Sequence, residues 1–208
     1  MKTGNKLTKK DYINIAIIIG IYFLIVLLIT RGKFMYGSVV DWDEQHWAIP
    51  EYFRNLFYST KELIPNFAPN IGAGQNIFYF AYYGFLSPII LLSYLLPNIQ
   101  MFDYIALSSM LAVILSVILL YKWLKNNNFS TIVCFVASFI FLCAGPLIFQ
   151  SHRHIMFMNY LPFLIMALMS VDHYFKTGKR PLLIISTFLI IMTSYFYSVG
   201  SLFAVAIY

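Results

Sequence analysis

The stretch YINIAIIIGIYFLIVLLIT at residues 12–30 decides the fold class of this chain. It contains no Asp, Glu, Lys or Arg, and it approaches the ~20 apolar residues that an α-helix needs to cross a bilayer. The segment before it is basic, with Lys2, Lys6, Lys9 and Lys10. Because the apolar run is long and no small-residue cleavage site closes it, we interpret it as a retained first transmembrane helix whose N-terminus is cytoplasmic.

The composition of the whole chain supports a membrane protein. Hydrophobic residues make up 61% of the sequence and charged residues 11%, with a mean hydropathy of +0.76. Soluble domains carry about 25% charged residues. The net charge of +6 does not indicate a nucleic-acid partner, because the basic residues lie at the ends of apolar segments and form no continuous patch. Cys134 and Cys143 are predicted to be buried and unpaired.

Further apolar runs predict an all-α, polytopic helix bundle with about five transmembrane helices. A cytoplasmic N-terminus (1–11) leads into the first span (12–30), and a long extracytoplasmic loop (31–101) with interfacial or re-entrant helices follows. The remaining spans are predicted at 102–121, 130–149, 155–174 and 181–208. Because the last run reaches Tyr208 without a polar flank, we expect the sequence to be a piece of a longer protein.

The segment at 85–97 is apolar but too short for an ordinary span, and it contains Pro88. If it does not span, all the basic residues of the later loops fall in the cytoplasm, as orientation statistics prefer; if it spans, all of them fall outside. These residues are Lys122, Lys125, Lys176, Lys179 and Arg180. We therefore predict an interfacial or re-entrant segment. Pro50 is expected to begin another interfacial helix that runs through about Ser59.

Acidic residues cluster in the long outer loop. Five of the eight in the chain are Asp41, Asp43, Glu44, Glu51 and Glu62. In a helix, Asp41 and Gln45 would share one face, and Asp43 would point elsewhere. A carboxylate at a bilayer surface can act as a general base or bind a hard divalent cation such as Mg²⁺ or Mn²⁺, so Asp41 is also a candidate metal ligand. The alternative is a set of solvated loop acids.

A second polar group lies between the predicted third and fourth spans, on the same outer side. It consists of His152, Arg153 and His154. Arg binds phosphate well, and His can exchange a proton near neutral pH. The group is therefore a candidate phosphate-binding site, although Arg153 alone would also serve to anchor a helix end at the lipid headgroups.

Several motifs, taken in order along the chain, resemble the start of the bacterial YfhO membrane proteins. They are Asp41-Trp-Asp-Glu-Gln45-His, Pro50-Glu-Tyr-Phe-Arg54, Asn70-Ile-Gly-Ala-Gly-Gln-Asn76, Tyr82-Tyr-Gly-Phe-Leu-Ser-Pro88 and Leu161-Pro162. The resemblance implies a GT-C type membrane glycosyltransferase with an essential Asp in its first outer loop. It also implies a polyprenyl-phosphate sugar donor and an envelope acceptor such as lipoteichoic acid.

The resemblance assigns the catalytic role to Asp41, with Gln45 beside it and Asp43 as the second candidate. It places the protein in a bacterial plasma membrane, where it contacts the lipid bilayer. Two other functions fit the same topology: a transporter or flippase of a lipid-linked envelope precursor, and a non-catalytic assembly subunit. A transporter would be expected to place functional polar groups near the bilayer midplane, at broken helices.

Overall fold

The computed structural model of the chain describes residues 6–30 and 41–208, and this part is almost entirely helical. The α-helices are α1 (Lys9–Thr30), α2 (Ala48–Thr60), α3 (Pro88–Leu92), α4 (Met101–Asn126), α5 (Thr131–Leu142), α6 (Gly145–Arg153), α7 (Leu161–Thr177), α8 (Pro181–Thr193) and α9 (Tyr195–Ile207). Other helical segments are a π-helix (Trp42–His46) and 3₁₀ helices at Ile77–Tyr83, Ser93–Leu95 and Ile155–Tyr160. Two short strands, β1 (Phe67–Ala68) and β2 (Gln75–Asn76), pair antiparallel.

Helices α1 and α4 contain the first two predicted spans, 12–30 and 102–121. In the described part of the chain, these two helices are long and apolar enough to cross a membrane. A third candidate combines the 3₁₀ helix Ile77–Tyr83 with the segment Pro88–Leu95, which meet at an angle of 98°. The chain therefore contains apolar membrane-crossing helices, and the total of about five spans stays a prediction.

The predicted third and fourth spans are each divided into shorter helices. The span at 130–149 breaks between α5 and α6, where Pro146 occupies the first turn of α6. Proline has no backbone N–H and cannot continue a helix that is already under way. The span at 155–174 starts as a 3₁₀ helix and becomes α-helical only from Leu161.

Residues 181–208, the predicted fifth span, form a helical hairpin of α8 and α9. Ser194 has an extended backbone (φ −155°, ψ 109°), and its hydroxyl accepts a hydrogen bond from the backbone N–H of Tyr197 at 3.4 Å. The hairpin returns the chain to the end where α8 begins, since the hydroxyl of Tyr208 donates to Asp172 Oδ1 at 2.8 Å. Local capping by Ser194 has replaced continuous helix.

Buried polar contacts join three helices at one end of the bundle, which we call the Asp11 end. The carboxylate of Asp11, in the first turn of α1, is fully buried. It accepts hydrogen bonds from Tyr121 of α4 at 2.8 Å and from Thr131 of α5 at 2.9 Å. Lys125 Nζ lies 3.5 Å from it. These contacts fix the start of α1 against the end of α4 and the start of α5.

The opposite end, the Asp41 end, holds the segments between α1 and α4. Helix α2 includes the interfacial helix predicted at 50–59, and it buries Phe53 against Phe85 with ring centroids 5.1 Å apart. Arg54 of α2 donates to the carbonyl oxygens of Leu96 at 3.3 Å and Ile99 at 2.9 Å. The chain thus leaves and rejoins the bundle at the same end, in the manner expected of a segment that does not cross it.

Candidate functional site

The acidic segment of the outer loop folds as a π-helix that begins directly after Asp41. Trp42 anchors it, with 1% of its surface exposed and its ring 5.3 Å from that of Phe102 at the start of α4. π-helical turns are rare and often occur at functional sites, because they redirect neighbouring side chains. Here the turn leaves the Asp41 side chain 40% exposed while His46 is buried.

His154 meets this segment from a distant part of the sequence. It follows α6 and has a non-helical backbone (φ −140°, ψ 54°), so its side chain departs from the direction of the helix. Its Nε2 lies 3.7 Å from Asp41 Oδ2. The structure thus brings together one residue from each of the two polar groups that the sequence singled out. This separation is longer than a hydrogen bond.

His46 completes the centre of the site, although a single His beside carboxylates is only a weak signal in the sequence. Its ring lies 4.9 Å from the ring of His154 and 5.1 Å from that of Phe157, measured between centroids. Among the described residues, the Nδ1 atoms of both His46 and His154 are buried and have no hydrogen-bond partner. Buried polar atoms are usually paired, so two unpaired imidazole nitrogens on neighbouring rings are unusual and set this part of the structure apart.

Gln45 is held by Tyr83. The hydroxyl of Tyr83 donates to Gln45 Oε1 at 2.6 Å, and this bond joins the π-helix to the 3₁₀ helix Ile77–Tyr83. The bond fixes the amide group and leaves its NH₂ as a donor toward a ligand. The partner that orients Gln45 is Tyr83, and the shared face predicted for Asp41 and Gln45 stays a prediction.

Aromatic rings form one wall of the site. Phe157 lies 5.1 Å from Tyr82 and 5.8 Å from Tyr197 between ring centroids, and Tyr197 stacks on Tyr160 at 4.9 Å. Gln150 of α6 donates to the Tyr197 hydroxyl at 3.1 Å. The tip of the α8–α9 hairpin thus reaches the site, because Tyr197 lies in the first turn of α9.

Burial makes both imidazoles poor bases. Desolvation lowers the pKa of His46 to about 4, the nearby His154 lowers it further, and Asp41 acts in the opposite direction. Burial also lowers the pKa of His154, where Asp41 opposes the shift and Arg153 adds to it. Both rings are therefore neutral at pH 7, and each carries one N–H donor and one acceptor nitrogen.

The remaining predicted site residues lie at or beyond the edge of this arrangement. Arg153 is exposed, and its guanidinium group lies 5.5 Å from the centre of the Phe149 ring. The side chains of Asp43 and His152 lie outside the part of the chain that the structure describes. The roles predicted for these residues stay predictions.

The metal-ligand role predicted for Asp41 stays a prediction. Within residues 6–30 and 41–208, no group of three or more His, Cys, Asp or Glu side chains is arranged to hold a metal ion. Asp41 approaches His154 from one side, while the orphaned Nδ1 atoms of the two histidines belong to rings packed against Phe157. We therefore derive no step that uses a metal at Asp41.

Fold and site together define a multi-helix membrane protein with a polar site at one end of its bundle, between Asp41 and a helix break. A model of the family described as "Bacterial membrane protein YfhO" matches residues 13–207. The chain therefore belongs to the YfhO family of bacterial membrane proteins. Comparison with curated proteins gives no match, and comparison with solved structures gives none either.

Proposed function

We propose that this protein is a GT-C type membrane glycosyltransferase, which moves a sugar from a polyprenyl-phosphate donor to an extracytoplasmic envelope acceptor such as lipoteichoic acid. The observation that carries the proposal is the approach of His154 to within 3.7 Å of Asp41. An acid and an imidazole from separate segments meet at one end of an apolar bundle, where a lipid-linked phosphosugar would be presented. Membership of the YfhO family is compatible with this chemistry.

Asp41 is the proposed general base. Within the described residues its carboxylate has no hydrogen-bond donor, and it is 40% exposed, so its lone pairs can accept a proton from an incoming hydroxyl group. The acceptor oxygen attacks the anomeric carbon of the donor while the bond from that carbon to the phosphate oxygen breaks. The phosphate keeps the electron pair, Asp41 keeps the proton, and polyprenyl phosphate leaves.

Arg153 and His154 are proposed to receive the leaving phosphate. The guanidinium of Arg153 supplies a permanent positive charge at the exposed edge of the site. His154 is neutral at pH 7, so it contributes an N–H hydrogen bond and not a charge. His152 was predicted to share this role and keeps it as part of the proposal. Charge stabilisation at the developing phosphate is a large component of catalysis in such displacements.

The hydrocarbon part of the donor has a place beside the aromatic wall. A cavity of about 610 Å³ lies next to Tyr160 and Tyr197, and its other lining residues include Leu164, Tyr195, Val199 and Gly200. Its walls are mainly apolar side chains of α7 and α9. A prenyl chain in this cavity would leave its phosphate at the Tyr197 side, which faces Phe157 and His154.

The proposed orientation follows from the basic residues. Lys125 lies at the Asp11 end, and the positive-inside rule would place that end in the cytoplasm and the Asp41 end outside. The site would then face the extracytoplasmic leaflet of the bacterial plasma membrane, where the acceptor polymer lies. This orientation is part of the proposal and can be tested by accessibility labelling of engineered cysteines at each end.

Transfer of a labelled sugar tests the proposal. Membranes containing the intact protein as encoded in its gene are given polyprenyl-phosphate sugars, and transfer to envelope polymer is compared for the wild type and Asp41→Asn. Glu62→Gln is the matched control, since it removes an exposed carboxylate from the same outer region. Transfer that is lost in Asp41→Asn and kept in Glu62→Gln supports the enzyme. Transfer that is equal in all three proteins contradicts it.

The alternative, transport of a lipid-linked precursor, is favoured by one observation. The α8–α9 hairpin turns at the polar residues Thr193 and Ser194, and interrupted helices often form the binding sites of transporters. A transporter would move the lipid-linked sugar between leaflets without forming a new glycosidic bond. Measuring both leaflet exchange and bond formation with the same labelled donor separates the two functions.

A further inference from the structure

A pocket lies at the Asp11 end of the bundle, at the opposite end from Asp41. Its volume is about 340 Å³, and its walls come from the end of α4, from α7 and from the start of α8. Trp123, Met169 and Leu182 give these walls apolar surface, and Asn126 and Lys176 give them polar groups. The proposed sugar transfer does not use this pocket.

Hydrogen bonds hold the three helices in place around the pocket. The carboxylate of Asp172 in α7, which also lines the pocket, accepts from Trp123 Nε1 at 2.9 Å and from Asn127 Nδ2 at 3.1 Å. The hydroxyls of Ser170 and Ser186 lie 3.2 Å apart and join α7 to α8. The pocket is therefore a fixed feature of the fold, and the acid in its wall is already engaged by protein donors.

The surface around the pocket is basic. The exposed cations described at the Asp11 end are Lys6, Lys9, Lys10, Lys122, Lys176, Lys179 and Arg180. Among the described residues, none of these cations lies within 4.0 Å of a carboxylate oxygen. The described acids of the same end are Asp11, which is buried beside Lys125, and Asp172, whose charge Lys176 offsets in part. This end therefore carries an excess of positive charge, which attracts anions.

The turn between α7 and α8 brings part of this charge to the pocket. Helix α7 ends at Thr177 and α8 begins at Pro181, and the residues on either side of the turn that line the pocket are Lys176 and Leu182. Lys179 and Arg180 lie between these two lining residues in the chain, so they are close to the pocket. We call Lys176, Lys179 and Arg180 the turn cations.

An apolar stripe on α8 continues from the pocket along the helix. Leu182 in the pocket wall is 40% exposed, and Ile185 and Phe188, which follow at intervals of three residues, are 53% and 55% exposed. Residues at this spacing lie on the same side of a helix, and we call these three the α8 stripe. A ligand that contacts both the turn cations and the α8 stripe has an anionic group at one end and hydrocarbon at the other.

We infer that this pocket binds the headgroup of an anionic phospholipid, with the acyl chains of the lipid along α8. The phosphate meets the turn cations, and the chains cover the α8 stripe. Trp123 suits the wall, because indole rings favour the boundary between headgroups and hydrocarbon. Basic pockets between membrane helices bind anionic headgroups in this way. The inference rests on the membrane-crossing helices of the protein and is independent of the proposed sugar transfer.

Native mass spectrometry of the intact protein in a neutral detergent tests the inference. The protein is titrated with phosphatidylglycerol and, separately, with phosphatidylcholine that has the same acyl chains, and the apparent affinity of the first lipid bound is measured. Glycerol 3-phosphate serves as a soluble competitor that has an anionic group and no acyl chains. The site variant combines Lys176→Gln with Arg180→Gln. The matched control combines Lys9→Gln with Lys10→Gln, which removes the same charge from the same end of the bundle.

We expect phosphatidylglycerol to bind the wild type at least about tenfold more tightly than phosphatidylcholine, because the turn cations attract its headgroup. The site variant should lose this preference, the control should keep it, and glycerol 3-phosphate at the same concentration should not displace the lipid. The inference is overturned if the two lipids bind the wild type alike, if the site variant keeps the preference, if the control loses it equally, or if glycerol 3-phosphate displaces the lipid. Neither result depends on sugar transfer, which has its own assay.

Discussion

The two ends of the bundle each contain an aspartate beside a basic residue, yet the two sites differ in every other respect. Asp11 is fully buried and accepts hydrogen bonds from Thr8, Tyr121 and Thr131, with Lys125 close by. Asp41 is 40% exposed, and among the described residues its charged neighbour is the imidazole of His154 at 3.7 Å. Among the described residues, the Asp11 carboxylate accepts several hydrogen bonds and the Asp41 carboxylate accepts none.

The difference between Asp11 and Asp41 distinguishes a structural acid from a functional one in a membrane protein. A buried charge is tolerated only when its partners are complete, and a complete set leaves no position for a ligand. The Asp11 carboxylate meets that description. Among the described residues of the Asp41 end, the Nδ1 atoms of His46 and His154 have no hydrogen-bond partner and Asp41 has no hydrogen-bond donor, so the set of partners at this end is incomplete.

The largest expected effect is on stability, at the Asp11 end. Asp11→Asn removes the charge that compensates Lys125, which is 6% exposed, and presents an NH₂ group to donors that need an acceptor. We expect the free energy of unfolding to fall by about 3 kcal/mol. Thermal unfolding in nanodiscs measures the change, with Glu62→Gln as the exposed control. A loss below about 1 kcal/mol would show that the hydrogen-bond network around Asp11 contributes little to stability.

The next effect concerns pH at the Asp41 end. The pKa of His46 is about 4 in the folded protein and 6.5 ordinarily. Between pH 4 and pH 6.5, His46 is therefore protonated in the unfolded chain and neutral in the folded protein. The contribution of His46 to stability should therefore fall as pH falls from 6.5, by about 2 kcal/mol at pH 5, and level off below pH 4. Asp41 opposes this shift, while the neighbouring His154, which faces Arg153, favours it.

His46→Phe checks the origin of this pH dependence. The substitution keeps an aromatic ring against Phe157 and removes the titrating group. Unfolding curves from pH 4 to 8 should lose most of their slope in His46→Phe and keep it in His173→Gln, which alters an exposed imidazole after the middle of α7. An unchanged slope in His46→Phe would assign the pH dependence to another group.

The smallest effects come from removing one hydroxyl at each end. Tyr121→Phe deprives the buried Asp11 carboxylate of a donor, and we expect a loss of about 1.5 kcal/mol in stability. Tyr83→Phe frees Gln45 in a half-buried setting and should lower stability by about 0.5 kcal/mol. Sugar transfer should fall more in Tyr83→Phe than in Tyr121→Phe, which is the reverse of the order expected for stability. Equal responses in both assays would remove the contrast between the two ends.

Much of the fold was predictable because apolar length is a local property. The runs at 12–30 and 102–121 lie within α1 and α4, and the helix expected from Pro50 is α2. The breaks were harder to predict. Gly145-Pro146 is a visible interruption, but its neighbours are apolar enough to suggest one span, and the break at Ser194 depends on a side-chain cap that competes with helix.

The candidate site was predictable in parts and not as a whole. Asp41, Gln45 and His154 carried signals of their own, since acids and basic clusters are scarce in this chain. His46 and Tyr83 did not, because a single His or Tyr in an aromatic loop has no distinctive spacing. Their importance comes from contacts with residues far along the chain, as does the burial of Asp11 against Tyr121 and Thr131. Such long-range contacts leave no periodic trace in one sequence.

The most direct test compares the same substitution at the two aspartates, Asp41 and Asp11. Asp41→Asn and Asp11→Asn are each measured for folded protein in the membrane and for sugar transfer per folded molecule. We predict that Asp41→Asn folds like the wild type and loses transfer at least about a hundredfold, while Asp11→Asn loses folded protein and keeps transfer per folded molecule. If Asp41→Asn retains transfer within a few-fold of the wild type, the assignment of the Asp41 end as the catalytic site is contradicted.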